Sequence, residues 1–526
     1  MEFHKKIAEL KEQGFFQDLQ IERGIEKESL RINKQGFISE KSHPKSLGSS
    51  FTNPSITTDF AEALVEIVTP VFNDIESLYD YLLKLHIFIS NNLDDEEMLW
   101  PYSMPPRIED ESKINIATYS DSNMGKLKHI YRKGLTVRYG KTMQCVSGIH
   151  YNFSLSESSI EELIGPHSQK EVDNLYLGLI RNFKRVFWFV LSEFGSSPIV
   201  DKSFVAGREN DLNFLNESDL YHKDATSLRM SEIGYQSKAQ KNLNIKYNNL
   251  DNFLEEVRQA IINPYPEFAS LGLKDSNDEY HQISNGILQI ENELYDCIRP
   301  KRAGDSGKRP YQLLKDEGIK YVEVRGIDLS PDEVTGISKN QMRIIDLILM
   351  HCLINSSPEM NNEEKAIIES NDAQTIKNGR NLNTKIIYKD SECPLQEART
   401  NLINELRFIA EAMNDKRYIE AVKEITNKTN IFNADLTFHE TGIAKAKENF
   451  KKLSSYKDID LQIFEKEVRS RKSFMKDVLF KLDPIFPKLS IMNGNAIIKI
   501  FKEITPVRTF EELDIPLTTV STDIVN

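Results

Sequence analysis

The chain has 526 residues, of which 39% are hydrophobic and 28% are charged, and its formal net charge is −13 at pH 7. This composition is that of an ordinary soluble protein, and the length can hold one large domain or two to three smaller ones. The negative charge argues against a nucleic-acid partner, because neutralising phosphates requires a basic surface.

The sequence also predicts a cytoplasmic protein without a membrane span. The N-terminus, MEFHKKIAELKEQGFF, lacks the long apolar stretch of a signal peptide. The most apolar stretches, such as Val186 to Leu191 and Ile344 to Leu349, are far shorter than the about 20 residues that cross a bilayer. Four cysteines without CxxC pairing or regular spacing favour a reducing compartment over a disulfide framework. They are Cys145, Cys297, Cys352 and Cys393.

The first two hundred residues show both helical and strand-like patterns. The N-terminal dozen residues predict a short amphipathic helix. From Ile21 to about Pro70 the alternating segments, broken by Asn-Lys-Gln-Gly and His-Pro turn signals, predict strands. Residues Ile75 to Asn91 and Leu175 to Phe194 have the spacing of helices, the second with a wide apolar surface.

Further along, two β-branched segments, Gly286 to Tyr295 and Ile319 to Leu329, predict strands. From about Gln341 to Lys481 the pattern is mostly helical, and the last twenty residues predict a loosely held tail. The fold class expected is α+β, with a mixed or antiparallel sheet in the first two-thirds and helices behind it. We expect a sheet-containing catalytic region at 1–360 and a mostly helical region at 361–526, unless the two form one integrated domain.

Polar residues spaced two apart recur in four of the strand-like segments. Successive side chains of a strand alternate between its faces, so the members of each set point to the same side. The sets are Glu26 and Glu28; His150, Asn152 and Ser154; Gln289, Glu291, Glu293 and Tyr295; and Glu323 and Arg325.

Any one of these sets is typical of a strand that simply exposes a polar face to solvent. Four sets in one chain, together with Asp59 and Glu66, favour a carboxylate-rich concavity with a single histidine. Oxygen-rich sites suit Mg²⁺ or Mn²⁺ better than zinc, and the sequence has no HExxH or Cys/His zinc pattern. It also has no P-loop and no GxGxxG turn after a strand. The residues alone indicate a Mg²⁺-dependent enzyme and leave nucleotide use open.

Seven stretches between Arg23 and Pro331 resemble the proteobacterial glutamate–cysteine ligases in order and spacing. They are RGIEKESLRIN, ITTDFAEALVEIVTP, HIYRKGLTVRYG, VSGIHYNFSL, ATSLRMSEIGY, LQIENELYDCIRPKR and YVEVRGIDLSP. Beyond about Arg380 the resemblance thins to length and helical character. The resemblance implies a glutamine synthetase-like fold, with a curved, mostly antiparallel sheet whose concave face holds the substrates.

The resemblance also implies the activity. In that family ATP drives ligation of the γ-carboxylate of glutamate to the amine of cysteine through a γ-glutamyl phosphate, the first step of glutathione biosynthesis. We therefore expect ATP, glutamate and cysteine as small-molecule substrates of a cytoplasmic monomer, with several Mg²⁺ ions, or Mn²⁺, as cofactors.

The candidate site residues fall into four groups, of which the resemblance implies the metal ligands and the cysteine pocket. The metal ligands would be Glu26, Glu28, Asp59, Glu66, His150 and Glu323. Arg325 would face the same cavity and bind a phosphate or the glutamate, unless it only forms an ion pair with a neighbouring strand. The cysteine pocket would comprise Tyr131, Leu135, Gln144, Val146, Arg229, Tyr235 and Tyr295. The candidates for the ATP phosphates are Lys128, Arg132, Arg299, Lys301 and Arg302, whose alternative is a solvated basic surface.

Three rival functions remain at this point. A sister carboxylate–amine ligase would use the same ATP and glutamate half with another amine. A catalytically silent binding protein would have lost acidic ligands, whereas all six positions are filled here. A two-metal phosphohydrolase would fit the carboxylates but would leave the cysteine-pocket motifs without a purpose.

Overall fold

The structure is a computed structural model that describes residues 2–119, 123–304, 309–426, 437–457 and 459–469. The strands are β1 (Ile21–Asn33), β2 (Ile56–Thr58), β3 (Leu64–Val68), β4 (Glu97–Leu99), β5 (Ile149–Leu155), β6 (Ile199–Asp201), β7 (Asn213–Phe214), β8 (Asp219–Tyr221), β9 (Ile298–Lys301), β10 (Tyr321–Ile327), β11 (Lys385–Tyr388) and β12 (Ser391–Pro394). The helices are α1 (Glu2–Glu12), α2 (Phe15–Asp18), α3 (Ile75–Asn92), α4 (Asn123–Tyr139), α5 (Glu157–Ile164), α6 (Gln169–Phe194), α7 (Leu250–Ile262), α8 (Pro266–Ser270), α9 (Pro310–Glu317), α10 (Lys339–Ile354), α11 (Asn362–Asn378), α12 (Leu395–Met413), α13 (Lys416–Thr426), α14 (Phe438–Ser455) and α15 (Gln462–Arg469).

A seven-stranded sheet dominates the first two-thirds of the chain. Its strand order is β2-β3-β1-β5-β10-β9, and β4 pairs with the C-terminal end of β1. Every pairing in this sheet is antiparallel. The register between β10 and β5 shifts between Val324 and Ile327, and such irregularities bend a strand. The α+β class and the antiparallel sheet are confirmed.

One face of this sheet packs on long helices. Ile25, Tyr151 and Val324 of three adjacent strands belong to the same buried apolar cluster as residues of α6 and α10. Both helices begin with a reciprocal capping box, Ser168 with Glu171 in α6 and Ser338 with Gln341 in α10, which satisfies two otherwise unpaired N–H groups at each start. The covered face leaves the opposite face of the sheet for polar side chains.

A buried polar network ties the sheet to the C-terminal helices. Asp346 of α10 accepts hydrogen bonds from Arg23 of β1, at 2.9 and 3.0 Å from Nε, and from the hydroxyl of Tyr151, at 2.8 Å. The hydroxyl of Tyr418 on α13 donates to the same carboxylate at 2.6 Å. The large apolar cluster likewise extends from Ile7 to Phe464. The division at residue 360 stays a prediction.

Most of the other predicted helices and strands are present in the structure. The N-terminal helix, the strands between 21 and 70, the two helices at 75–91 and 175–194, and the strand at 319–329 are confirmed. Among the described residues between 341 and 469, the mostly helical pattern is confirmed, apart from one hairpin. Residues 470–481 and the predicted tail lie outside the described residues. Of the described helices, none has both the length and the apolar character that crossing a bilayer demands.

The predicted strand at Gly286 to Tyr295 is wrong. Gly286 makes only an isolated bridge to Pro264, and Glu291–Glu293 form one 3₁₀ turn. The backbone N–H of Gln289 donates to the Glu293 carboxylate at 2.7 Å, which curls the segment and prevents a ladder. The alternation of polar residues therefore does not arise from a pleated strand, and the actual strand is β9.

The helical prediction also missed the β11–β12 hairpin. Tyr388 pairs with Ser391 across a two-residue turn formed by Lys389 and Asp390. Both turn residues have positive φ, 49° and 61°, as a type I′ turn requires. Because the usual Asn-Gly or Asp-Gly signal is absent, the turn could not be recognised from the sequence.

Candidate functional site

Four glutamates lie in a row across the polar face of the central sheet. Directly opposed residues of neighbouring strands share a face, so the register of the strands places them side by side. The opposed pairs, in order across the sheet, are Glu66 with Glu28, Glu26 with His150, Asn152 with Glu323, and Glu323 with Arg299. We call Glu66, Glu28, Glu26 and Glu323 the carboxylate row. The predicted shared face of these strands is therefore present.

His150 lies at the centre of the row. Its Nδ1 is 3.2 Å from Glu26 Oε2 and 3.9 Å from Glu323 Oε1, and its Nε2 is 3.7 Å from Glu28 Oε1. Glu26, His150 and Glu323 each contribute one ligand atom, and these three atoms lie within 4.8 Å of one another. Two carboxylates and one imidazole at this spacing can hold a divalent cation, and the predominance of oxygen suits Mg²⁺ or Mn²⁺.

The electrostatics of the row show how much negative charge the fold concentrates here. Burial, together with the nearby carboxylates of Asp59 and Glu26, raises the pKa of Glu66 well above its ordinary value. Burial likewise raises the pKa of Glu28. Neighbouring buried carboxylates repel one another unless positive charge compensates them. Such a surplus of negative charge is expected of a site that binds cations.

The Glu323 end of the row is compensated by the protein itself. Arg299 donates to Glu323 Oε2 at 2.9 Å, Arg325 at 3.1 Å, and Lys301 donates to Oε1 at 3.2 Å. Burial raises the pKa of Glu323, but Lys301, Arg325 and Arg299 outweigh it, so that pKa lies well below the ordinary value. Burial and the Glu323 carboxylate raise the pKa of Glu26, but the hydrogen bond between His150 and Glu26 and the positive charge of Lys301 outweigh them, so that pKa lies below its ordinary value.

At the Glu66 end, basic side chains of α4 approach the row. Arg132 Nη2 is 3.9 Å from Asp59 Oδ1, and its Nε donates to the Asp59 backbone carbonyl. The cationic groups of both Arg132 and Lys128 lie over the ring of Tyr119, at 4.6 and 5.0 Å from its centroid. Burial and the nearby Arg132 lower the pKa of Lys128 to about 8. These contacts place two predicted phosphate-binding cations beside Asp59.

The fifth predicted phosphate-binding cation is placed differently. Arg302 follows the end of β9, and its Nε is 3.4 Å from Glu317 of α9. Arg299 and Lys301, two residues apart on β9, are instead both joined to Glu323. The structure thus brings four of the five predicted cations to the carboxylate row or to Asp59, whereas the described ion pair of Arg302 is with Glu317.

Six of the seven predicted cysteine-pocket residues form an aromatic cluster next to Arg325; they are Tyr131, Leu135, Gln144, Val146, Tyr235 and Tyr295. The rings of Tyr235 and Tyr295 have centroids 4.6 Å apart, and the Tyr295 hydroxyl donates to Gln144 at 3.3 Å. Arg325 donates to the Tyr235 hydroxyl at 2.6 and 2.9 Å, which links this cluster to Glu323. Tyr131 and Tyr235 also pack against the buried apolar group that contains Leu135 and Val146.

Arg229, the seventh predicted pocket residue, is buried, and its guanidinium carbon lies 5.4 Å from the centre of the Tyr235 ring. It is 1% exposed, and its guanidinium donates to the carbonyls of Ile327 at 3.3 Å and Arg325 at 3.1 Å, where β10 changes register. Its Nε has no hydrogen-bond partner. A Cβ at Gly148 would lie 2.0 Å from Arg229 Nη2, so only glycine lets the guanidinium reach this position.

Glu293 is a site-supporting residue whose position the sequence did not indicate. Its carboxylate is fully buried and accepts from Arg138 at 3.1 Å and from the Tyr139 hydroxyl at 3.0 Å. These bonds anchor the loop that carries Tyr295 to the end of α4. The expected strand would have placed Glu293 and Tyr295 on one exposed face, and no spacing in the sequence indicates the actual loop.

Asn152 also supports the site, and its position could be predicted from the sequence, because Asn152 lies two residues from His150 and therefore shares its strand face. Its Nδ2 donates to Glu26 Oε1 at 3.0 Å, and its Oδ1 is buried without a hydrogen-bond partner. The amide therefore orients Glu26 towards His150.

Comparison with known proteins connects this geometry with one family. Residues 7–375 match the family model described as glutamate–cysteine ligase. A glutamate–cysteine ligase of Hahella chejuensis is 42% identical over 372 residues, which cover 70% of this chain and 71% of that protein. A glutamate–cysteine ligase of Vibrio vulnificus is 42% identical over 418 residues, covering 77% of this chain and 79% of that protein.

Solved structures are similar over most of the fold. A crystal structure of a glutamate–cysteine ligase from Francisella tularensis in complex with AMP has a TM-score of 0.84 and 30% identity, and covers 92% of this chain and 98% of that one. A bifunctional glutathione synthetase from Pasteurella multocida has a TM-score of 0.66 at 24% identity, covering 88% of this chain and 58% of that one. The second similarity concerns the fold alone.

Proposed function

This chain belongs to the glutamate–cysteine ligase family, and from that premise we propose that the carboxylate row binds the divalent cations of the reaction. The protein catalyses the ATP-dependent ligation of glutamate to cysteine in glutathione synthesis. The observation that carries the proposal about the site is the convergence of Glu26, His150 and Glu323, whose ligand atoms lie within 4.8 Å of one another.

The proposed cation ligands are the six predicted from the sequence, and the donor chemistry supports them. Five carboxylates and one imidazole provide hard oxygen ligands for several Mg²⁺ ions, with Mn²⁺ as the alternative. The raised pKa of Glu66 reflects a surplus of negative charge that bound cations would relieve. Cations bound there would neutralise and orient the phosphate oxygens of ATP and of the activated glutamate. The residues are Glu26, Glu28, Asp59, Glu66, His150 and Glu323.

Basic side chains at both ends of the row would hold the phosphates of ATP. Arg299 and Lys301 already contact Glu323, and Lys128 and Arg132 lie beside Asp59. We propose that these four form the two sides of a phosphate site, because guanidinium and ammonium groups donate strongly to phosphate oxygens. Arg302 would join them only by leaving Glu317.

Arg325 lies between the two halves of the proposed site. It contacts Glu323 on one side and the Tyr235 hydroxyl on the other. We propose that it binds the γ-carboxylate of glutamate or the phosphoryl group transferred to it. The γ-carboxylate attacks the γ-phosphate of ATP to give γ-glutamyl phosphate and ADP, the amine of cysteine then attacks the acyl carbon with loss of a proton, and phosphate leaves. Positioning and electrostatic stabilisation would supply most of the catalysis.

The aromatic cluster is the proposed cysteine pocket. Tyr131, Leu135, Val146 and Tyr295 supply apolar walls for the side chain, with the Gln144 amide and Tyr235 hydroxyl as polar groups. The buried Arg229 would act on the carboxylate of cysteine through its unpartnered Nε, or by holding the Tyr235 ring, which lies 5.4 Å from its guanidinium carbon.

We also propose that the protein is located in the cytoplasm. All four cysteines are free thiols, as is usual for proteins of the reducing cytoplasm, and this supports the proposed location. The monomeric state expected from the sequence stays a prediction.

Manganese binding followed by electron paramagnetic resonance tests the cation site. The wild-type protein should bind more than one Mn²⁺, and Glu26→Gln and Glu323→Gln should each remove or weaken a site by about 10- to 100-fold. Glu22→Gln is the matched control, because Glu22 lies on the same face of β1 but accepts from Ser154 at 2.9 Å and does not contact His150. Equal Mn²⁺ binding in all four proteins would refute the assignment.

A further inference from the structure

Two buried glutamines join three segments of the chain that supply walls of the proposed cysteine pocket. Gln289 is 0% exposed and Gln240 is 8% exposed. The three segments are α4, the loop between α8 and β9, and the stretch between β8 and α7. In that order they supply to the pocket Tyr131 and Leu135, Tyr295, and Tyr235. The spacing of these segments therefore determines the width of the pocket.

Gln289 joins the loop that carries Tyr295 to α4. Its Nε2 donates to the backbone carbonyl of Tyr131 at 3.1 Å, and its Oε1 accepts from the N–H of Ile283 at 3.1 Å. The carbonyl of Tyr131 lies one helical turn before Leu135, and both of these residues are proposed pocket walls. The Gln289 amide therefore fixes the distance between this turn of the helix and the loop opposite.

A glycine in α4 makes room for this contact. A Cβ at Gly134 would lie 2.0 Å from Gln289 Oε1 and 2.5 Å from its Nε2, so any larger residue would displace the amide. Glycine within a helix is less favourable than alanine, because its backbone loses more conformational freedom. The hydrogen bond and close packing of Gln289 on the helix offset this cost.

Gln240 joins the same loop to the segment that carries Tyr235. Its Oε1 accepts from the N–H of Tyr295 at 2.8 Å, and its Nε2 donates to the carbonyl of Glu293 at 2.8 Å. The two bonds hold the loop backbone on either side of Leu294, in the way that a neighbouring strand would. They fix the point from which the Tyr295 ring reaches the ring of Tyr235, 4.6 Å away between centroids.

We propose that Gln289 and Gln240 are positioning residues that set the width of the cysteine pocket, and with it the preference for cysteine over its longer homologue homocysteine. The inference rests on the proposed pocket. Each glutamine acts through the backbone of a wall residue, Tyr131 or Tyr295, and not by touching the substrate. A rigid apolar pocket discriminates between substrates that differ by one methylene by about 10- to 200-fold, and a pocket with mobile walls loses that discrimination.

Steady-state ADP release with cysteine and with homocysteine, at saturating MgATP and glutamate, measures this preference as a ratio of kcat/KM values. Gln289→Met and Gln240→Met keep the volume of the side chain but remove its hydrogen bonds. Each should lower the ratio by about 10-fold. The KM for MgATP should stay unchanged, because the cations of α4 have separate contacts with Asp59 and Tyr119. A purely structural role would lower kcat equally with both amines and leave the ratio as it is.

Three other variants complete the test. Gln341→Met removes a buried amide from the start of α10 and, as the matched control, should keep the wild-type ratio. Gly134→Ala displaces Gln289 while it favours the helix, so it should lower the ratio too, and it decides if the glutamine variants do not fold. Leu135→Ala widens the pocket directly. A ratio that falls in Leu135→Ala but not in Gln289→Met, Gln240→Met or Gly134→Ala would overturn this inference alone. A ratio that Leu135→Ala also leaves unchanged would refute the proposed pocket, and this inference with it.

Discussion

Replacing Glu66 by glutamine should stabilise the metal-free protein while it abolishes activity. Glu66 is directly opposite Glu28 on adjacent strands, and such pairs have Cβ atoms about 5 Å apart. Two unit charges at about 5 Å repel by about 3 kcal/mol at an effective dielectric constant of about 20. Arg132 offsets part of this repulsion, and partial protonation of Glu66 relieves more of it. We therefore expect a net gain of about 1 kcal/mol in the free energy of unfolding.

Thermal unfolding in EDTA and in saturating Mg²⁺ measures this effect. In EDTA, Glu66→Gln should melt about 1 °C above the wild type, because the entropy of unfolding of so long a chain makes the shift per kcal/mol small. In Mg²⁺ the order should reverse, because the wild type gains binding energy that the variant lacks. Glu162→Gln, an exposed substitution on α5, is the control and should not change either Tm. A Glu66→Gln protein that is no more stable than the wild type in EDTA would refute the account of the carboxylate row as an uncompensated cation site.

Three further substitutions test separate parts of the site. Tyr235→Phe removes the hydroxyl that accepts two hydrogen bonds from Arg325. Steady-state kinetics should show a fall of about 10-fold or more in kcat/KM for cysteine, with the KM for ATP little changed. An equal fall in kcat/KM for ATP would show that Tyr235 does not belong to the cysteine pocket. Glu293→Gln breaks the fully buried ion pair with Arg138 and should lower the free energy of unfolding, measured by urea titration, by about 3 kcal/mol. A change below about 1 kcal/mol would show that this ion pair does not anchor the loop carrying Tyr295. Asp346→Asn disrupts the network that joins β1 to α10 and α13 and should cost about 3–5 kcal/mol; unfolding at the wild-type urea midpoint would contradict that role.

The sheet and its polar face could be predicted because both rest on local, periodic signals. The two-residue spacing of Glu26 with Glu28, and of Glu323 with Arg325, specifies a shared face whatever the strand order. The sequence could not specify which strands are neighbours. That β5 lies between β1 and β10, which brings His150 between Glu26 and Glu323, depends on long-range pairing.

The parts that escaped prediction are those where side chains, rather than periodicity, determine the backbone. The loop carrying Tyr295 alternates polar and apolar residues like a strand, but the bond from the Gln289 N–H to Glu293 curls it. The β11–β12 hairpin turns through two non-glycine residues with positive φ. The buried position of Arg229 follows from contacts with the carbonyls of β10, which no spacing in the sequence reveals.

The measurement that tests the central claim most directly is ADP release from MgATP and glutamate, with and without cysteine, for the wild type, Glu26→Gln and the control Glu22→Gln. The account predicts cysteine-dependent ADP release in the wild type and in Glu22→Gln, and a loss of at least about 100-fold in Glu26→Gln. Undiminished ADP release by Glu26→Gln would contradict the placement of the reaction on the carboxylate row.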